Sequence, residues 1–306
     1  MQILVSLSSI RNTVGAQGLT LLDIPPFLKQ HDFTGLELSD RELPSFSPAF
    51  SRQLRESCAA VDCRLIFDVN CDLTYAEPTR WQQEVNYVKQ MLNVARDLGA
   101  GAVRVCLGGQ SFSVQKLWKA RRAAHLEEKN DRSPRKNLTS ALLLNRWVLR
   151  LAHAVRRTLP ATVTALEEKM VRATSALIDV VPLAARYRLP IVIENHWGIT
   201  SRPENIIAII DAVKSPWLGA CPDFGNFPRD VDPYDGLKTL APKALHAQAK
   251  SARFCKDGEE KTIDYRRALR ILRDCSYDGT LTIEYEGGGR DLEGCIRTRA
   301  LILKYW

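Results

Sequence analysis

The sequence predicts an α/β protein folded as a single (β/α)8 barrel, or TIM barrel, with an insertion after the fourth strand. Eight short apolar runs alternate with amphipathic helical patterns, which is the order of elements that closes a parallel barrel. The last four runs end in acidic or amide residues, and the functional groups of such barrels lie at the carboxyl ends of the strands. The length of 306 residues also fits one barrel of about 250 residues together with an insertion.

Strand character is clearest between residues 190 and 196, where a Pro-Ile-Val-Ile run leads into Glu194, Asn195 and His196. A buried parallel strand has this uncharged, β-branched composition because both of its faces are covered. Seven other segments repeat the pattern of an apolar run bounded by polar or turn residues. The predicted strands cover residues 3–8, 35–39, 64–70, 102–107, 190–196, 218–223, 244–250 and 280–286.

Helical patterns with N-terminal capping residues fill most of the intervals between the strands. The helix predicted to begin at Thr164, with Glu167 three residues later, has the clearest apolar stripe. That stripe consists of Leu166, Met170, Ala173, Leu177, Val180 and Ala184. The other predicted starts are Ser47, Thr79, Ser201, Asp232, Asp264 and Asp291.

Composition excludes several classes of protein. Hydrophobic residues make up 45% of the chain and charged residues 25%, which is typical of a globular protein. Apolar runs stay well short of the roughly 20 residues that a membrane span requires, so no membrane association is expected. The eight cysteines are scattered without a CxxC pair, and the N-terminus MQILVSLSSI has the character of a first strand. We therefore expect reduced cysteines, no export signal and a cytoplasmic protein.

Residues 109–163 form a basic, partly helical insertion between the fourth strand and its helix. Between Lys116 and Arg157 the sequence has twelve Lys or Arg residues against three acids, which accounts for the net charge of +8. Loops after barrel strands lie on the catalytic face, so we expect a lid or a subunit contact, and a subunit contact would make the protein a homo-oligomer. Because the charge is confined to one segment, nucleic acid is not an expected partner of the whole protein.

Three carboxylates carry the predicted chemistry, namely Glu194, Asp223 and Glu284 at the ends of the fifth, sixth and eighth strands. Like charges close together require proton uptake or a counter-cation, and a divalent metal ion supplies one. The amide of Gln248, on the seventh strand, adds a neutral oxygen. An oxygen-rich set of this kind favours one Mn²⁺ or Mg²⁺ ion.

Side chains alternate along a strand, so residues two apart share one face. His196 therefore lies on the face of Glu194, and His246 and Lys250 lie on the face of Gln248. We expect these groups to face the barrel mouth. There, His196 and Lys250 are candidate catalytic proton carriers or anchors for hydroxyl groups.

One motif on each of the last four strands resembles the xylose-isomerase-like barrel superfamily, namely IENHWG, PDFGNF, HAQAKS and IEYEG. That superfamily includes sugar phosphate isomerases and epimerases and endonuclease IV, and the resemblance covers most of the chain. It implies that a metal is held by Glu194, Asp223, Gln248 and Glu284, and that the two glutamates act as acid and base on opposite sides of a sugar. The chain departs from the family at Gln248, where the family has a histidine. His246, two residues away, is an alternative ligand.

The resemblance and the ligand set together predict a metal-dependent sugar isomerase or epimerase acting on a small carbohydrate. The metal would polarise a carbonyl and its neighbouring hydroxyl, which acidifies the C–H bond between them as a metal-bound enediolate forms. Glu194 or Glu284 would remove that proton. Its return from the other face gives an epimer, its return to the adjacent carbon gives an isomer, and expulsion of a β-substituent gives elimination.

Four further residues are predicted to contact the substrate. Trp197 can stack on the apolar face of a sugar ring, and His246 can bind a hydroxyl group. Arg104 on the fourth strand and Arg290 after the glycines at 287–289 are candidates to pair with a phosphate or a carboxylate.

Three alternatives stay open at the level of sequence. A lyase acting on keto-sugars of the 3-keto-glycoside type would use the same site and the same first step. A nuclease of the endonuclease IV type would explain the basic insertion, but that family builds its metal site from many histidines and this chain has five. A non-catalytic barrel could serve as a binding or assembly protein, with the insertion as its contact surface.

Overall fold

Eight parallel strands form the sheet in the computed structural model, which describes residues 1–108 and 165–306. The strands are β1 (Gln2–Ser6), β2 (Gly35–Ser39), β3 (Arg64–Asn70), β4 (Ala102–Cys106), β5 (Ile191–Glu194), β6 (Leu218–Cys221), β7 (His246–Ser251) and β8 (Thr280–Tyr285). They pair in the order β6-β5-β4-β3-β2-β1-β8-β7. The two outer strands of this order meet through isolated parallel bridges, so the sheet closes into the predicted (β/α)8 barrel.

The closure between β6 and β7 sets two predicted ligands side by side. The backbone N–H of Leu245 donates to the carbonyl of Ala220 at 3.0 Å, and that of Gln248 donates to the carbonyl of Pro222 at 2.9 Å. These bonds leave Asp223 opposite Gln248 in a parallel bridge. The last contact that closes the barrel is therefore also part of the candidate site.

Helices surround the strands and bury their apolar faces against them in one large core, and Leu4, Ile66 and Ala102 form a small separate cluster. Among the described residues the helices are α1 (Arg11–Gln17), α2 (Ile24–Gln30), α3 (Pro48–Ala60), α4 (Pro78–Leu98), α5 (Ala165–Tyr187), α6 (Pro203–Val213), α7 (Pro233–Leu240), α8 (Tyr265–Asp274) and α9 (Asp291–Tyr305). Short 3-10 turns lie at Leu7–Ile10, Leu21–Asp23, Gly198–Ser201 and Ala241–Lys243. The predicted stripe of α5 is buried from Ala173 onward, whereas Leu166 in its first turn is exposed.

Three predicted helix starts coincide with observed caps. The side chains of Ser47, Asp232 and Asp264 accept hydrogen bonds from first-turn amides of α3, α7 and α8. The predicted start of α4 at Thr79 was wrong. The carboxylate of Glu77 caps that helix, and because it accepts two first-turn amides the helix begins earlier.

The predicted insertion at residues 109–163 lies outside the described residues. Within the described ranges, none of the helices combines the length and the apolar character that crossing a bilayer requires.

Candidate active site

A cavity of about 400 Å³ opens at the carboxyl ends of the strands. Its wall includes Glu37, Arg104, Cys106, His196, Trp197 and Glu284. A second cavity of about 420 Å³ adjoins it and shares Glu284. The barrel mouth is therefore both concave and polar, as expected for a site that binds a small hydrophilic molecule.

The three predicted metal-binding carboxylates lie together at this mouth. Glu194, Asp223 and Glu284 each offer one oxygen, and these oxygens all lie within 4.8 Å of one another. Glu194 and Asp223 are completely buried, and the side chain of Glu284 is 15% exposed. Three carboxylates held this closely in a dry environment require a compensating charge.

Two acceptor atoms beside this group lack a hydrogen-bond partner. They are Oδ2 of Asp223 and Oε1 of Gln248, and both are buried. The other carboxylate oxygen of Asp223 accepts hydrogen bonds from the backbone N–H groups of Gly225, at 2.7 Å, and Asn226, at 2.9 Å. Since leaving a buried acceptor unsatisfied is costly, these two oxygens fit a hard cation held together with the carboxylates.

Burial raises the pKa of Asp223 well above its usual value of 3.8. The nearby carboxylates of Glu284 and Glu194 raise it further and together with burial outweigh the opposing effect of Lys250. A cation bound here would relieve the same repulsion, because it favours the ionised form.

Lys250 supplies a positive charge from within the protein. Its Nζ lies 2.9 Å from Oε2 of Glu284, 2.9 Å from Oε1 of Glu286 and 3.9 Å from Oδ2 of Asp223. It also donates to Oδ1 of Asn226 at 2.9 Å. Burial lowers the pKa of Lys250, but the surrounding carboxylates outweigh it and raise the pKa above the usual 10.5. The ammonium group therefore stays charged at neutral pH and acts as a hydrogen-bond donor.

The ion pair with Lys250 also changes the pKa of Glu284. Burial raises the pKa of its carboxyl group, but Lys250 and Arg104 outweigh burial, so the pKa lies below the usual 4.5. Glu284 is therefore ionised at neutral pH and is able to accept a proton.

Arg104 is placed differently from the substrate contact predicted for it. Its Nε donates to Glu37 at 2.6 Å, its Nη2 lies 3.1 Å from Asp68, and its Nη1 contacts Glu194. Only 8% of the residue is exposed. Because three buried carboxylates already occupy the guanidinium, its contacts favour positioning of Glu194, and binding of a substrate anion stays an untested prediction.

His246 and Gln248 share the carboxylate of Glu37. Nε2 of His246 lies 3.1 Å from Oε2 of Glu37, and Nδ1 lies 2.8 Å from the hydroxyl of Thr280. The amide nitrogen of Gln248 donates to Oε1 of Glu37 at 2.8 Å. Both ring nitrogens of His246 have partners inside the barrel, which favours a structural role over its predicted roles as a substrate contact or as an alternative metal ligand. Those of Gln248 leave its oxygen as the free end of the amide.

Glu194 is held from both of its oxygens. Oε1 accepts from the side-chain amide of Asn226 at 2.9 Å, and Oε2 contacts Arg104 and lies 3.3 Å from Sγ of Cys106. Asn195 ties the ends of β5 and β6 together, since its side chain bonds both the N–H and the carbonyl of Asp223, at 2.6 and 3.0 Å. Asn226 and Asn195 are not among the predicted site residues, although they lie inside the motifs PDFGNF and IENHWG.

The remaining predicted residues lie at the rim or away from it. His196 lines the cavity, and its Nδ1 is buried without a hydrogen-bond partner. Burial lowers the pKa of His196 below 6.5, so its ring is neutral at neutral pH. Trp197 packs on that ring with centroids 3.9 Å apart and is 38% exposed. Arg290 pairs with Glu293 at 3.4 Å on the surface and lines neither of the two cavities, so its predicted anion contact stays untested.

The chain belongs to the xylose isomerase-like TIM barrel family, whose model matches residues 26–304. No curated protein sequence matches it. Three solved structures show the same fold. A D-psicose 3-epimerase from Clostridium cellulolyticum H10, solved with D-tagatose, has a TM-score of 0.71 and 9% identity, covering 100% of this chain and 99% of that one.

The other two are similar in extent. A D-tagatose 3-epimerase-like protein has a TM-score of 0.66 and 17% identity, covering 100% of this chain and 97% of that one. A 3-keto-D-glucoside 4-epimerase from E. coli has a TM-score of 0.66 and 12% identity, covering 99% of each chain. At these identities the likeness establishes the fold, and function has to be argued from the site itself.

Proposed function

We propose that the protein is a divalent-metal-dependent isomerase or epimerase that moves a proton next to the carbonyl of a small carbohydrate. One observation carries the proposal: Glu194, Asp223 and Glu284 converge within 4.8 Å at the mouth of the barrel. Two of the three structural relatives are named as sugar epimerases and the third as a D-tagatose 3-epimerase-like protein, which supports a sugar as the substrate.

Four side chains would hold the ion, namely Glu194, Asp223, Gln248 and Glu284. The unsatisfied oxygens of Asp223 and Gln248 support this set, and its composition favours Mn²⁺ or Mg²⁺. When bound, the ion polarises a carbonyl and a neighbouring hydroxyl and so makes the C–H bond between them more acidic.

The two glutamates would exchange the proton. Glu284 is ionised at neutral pH because of Lys250 and Arg104, and it lines both cavities. Glu194 is fixed through Arg104 and Asn226, which keeps its carboxylate in one orientation. A rigid carboxylate on each side of the substrate suits removal of a proton from one face and delivery from the other.

Other residues would bind and orient the sugar. Lys250 stays charged and can donate to a substrate oxygen, and the neutral ring of His196 has a free Nδ1 for a hydroxyl group. Trp197 offers a partly exposed ring at the rim for the apolar face of the sugar. A lyase acting on a 3-keto-glycoside is the second candidate, because elimination begins with the same proton removal and one relative is a 3-keto-D-glucoside 4-epimerase.

The test is incorporation of deuterium from solvent into a panel of keto-hexoses and 3-keto-glucosides by protein loaded with Mn²⁺. We expect Glu194→Gln and Glu284→Gln to lower exchange by about 100-fold or more, since each removes an acid–base group. Glu56→Gln, which alters an exposed carboxylate on α3, is the matched control. Full exchange by both site variants would overturn the proposal. Product analysis of the same reactions distinguishes an epimer, an isomer and an eliminated fragment.

A further inference from the structure

A second group of metal-binding side chains lies beside the first. Cys106 at the end of β4, Glu194 at the end of β5 and His196 just beyond it each offer one ligand atom, and these atoms lie within 4.8 Å of one another. The two groups share Glu194 and differ in their other members. Cys106 and His196 both line the cavity of about 400 Å³, so an ion can reach them from solvent.

One donor atom of this group is left without a partner in the protein. Nδ1 of His196 is buried and lacks a hydrogen-bond partner. Cys106 is only 6% exposed, and its thiol makes a contact of 3.3 Å with Oε2 of Glu194. A neutral imidazole nitrogen with a free lone pair, next to a thiol and a carboxylate, is the arrangement that a ligating ion would complete.

We propose that Cys106, Glu194 and His196 form a second metal site that takes Zn²⁺ or a chemically similar ion. Sulfur and imidazole nitrogen favour Zn²⁺, whereas the oxygen-rich group with Asp223 and Glu284 favours Mn²⁺ or Mg²⁺. Three protein ligands leave one coordination position open, as in catalytic zinc sites. When the ion binds, the S–H bond of Cys106 breaks, its proton passes to solvent and a sulfur–metal bond forms, with no change in oxidation state.

The local charge is compatible with a further cation. Arg104 contacts Glu194, but the same guanidinium also pairs with Glu37 and Asp68. Three carboxylates around one guanidinium leave a net negative formal charge. The second site does not depend on the proposed reaction, and measurements of metal binding alone test it.

The experiment titrates the purified metal-free protein with Co²⁺ as a spectroscopic probe for Zn²⁺. A thiolate bound to Co²⁺ produces a near-ultraviolet charge-transfer band, which an all-oxygen site does not. We expect this band in the wild type and its loss in Cys106→Ser. Cys221→Ser is the matched control, because Cys221 is buried at the equivalent end of β6 and belongs to neither group. Absence of the band from the wild type, or its survival in Cys106→Ser, overturns the proposal.

Two further variants keep the result decisive. Equilibrium dialysis with Zn²⁺ and elemental analysis should show one ion fewer in His196→Gln than in the wild type, which covers the case in which Cys106→Ser does not fold. Unchanged Zn²⁺ content in His196→Gln counts against the site. Asp223→Asn should keep the Co²⁺ band while weakening Mn²⁺ binding, and loss of the band in this variant contradicts a separate site. A band without sugar exchange would refute the proposed function and leave the second site standing.

Discussion

Replacing Arg104 with methionine removes the positive charge that Glu37, Asp68 and Glu194 share inside the barrel. Methionine fills much of the same space and leaves the three carboxylates without their counter-ion. The variant therefore tests whether the polar interior is held together by this one guanidinium.

The expected loss is large. Burial by itself raises the pKa of Glu37, but Arg104 and His246 outweigh burial and lower the pKa from 4.5 to about 2. That change corresponds to about 3 kcal/mol of stability at neutral pH. Removing one partner of a buried ion pair typically costs about 3–5 kcal/mol, and we expect a loss of this size at pH 7.

The loss depends on pH in a definite direction. In the wild type, the lowered pKa of Glu37 gives a stabilisation that is present above 4.5 and is lost as the pH falls towards about 2. In the variant, Arg104 no longer opposes burial, so the pKa of Glu37 rises, and its contribution is most favourable at low pH and is lost as the pH rises. The free energy of unfolding of the wild type should therefore exceed that of the variant by more at about pH 7 than at about pH 5.

Urea unfolding followed by circular dichroism at several pH values measures this difference. The control is Arg270→Met, which removes an exposed partner of Asp274 on α8, where a 3.7 Å pair should contribute less than about 1 kcal/mol. A loss below about 1 kcal/mol for Arg104→Met at pH 7, or a loss that does not change with pH, would refute the reasoning.

Two further predictions concern side-chain packing and capping. In Gly225→Ala the new Cβ would lie 2.8 Å from Cδ of Lys250, so displacement of that side chain should cost about 1–3 kcal/mol of stability in thermal unfolding. The control is Gly288→Ala, whose Cβ meets nothing within 4 Å and which should change stability by less than about 0.5 kcal/mol in the same assay. Asp264→Ala removes the carboxylate that accepts from the N–H of Arg267 at 3.0 Å and should cost about 1 kcal/mol in urea unfolding; an unchanged midpoint would contradict the role of this cap.

The fold followed from the sequence because strands and helices have separate periodicities. The bounds predicted for β2 and β3, residues 35–39 and 64–70, are those observed, since both segments are short, rich in Leu, Ile, Val and Phe, and bounded by polar or turn residues. The start of α4 was missed because Glu77, which is not among the usual capping residues, accepts two backbone amides.

The candidate site was predictable only where backbone geometry determines it. Carboxylates at the ends of parallel strands must meet at one end of the barrel, and Glu194, Asp223 and Glu284 do. Competition among nearby charges determines which partner each long side chain contacts. Arg104 therefore pairs inward, and the amide nitrogen of Gln248 bonds Glu37, in ways that strand alternation does not specify.

The central claim is that four side chains at the barrel mouth hold a divalent ion. Anomalous diffraction at the manganese edge, from crystals soaked in Mn²⁺, tests it most directly. The predicted result is a peak coordinated by side-chain oxygens of Glu194, Asp223, Gln248 and Glu284. Mn²⁺ bound only elsewhere in the crystal, or a density map without a peak among these oxygens, would contradict the claim.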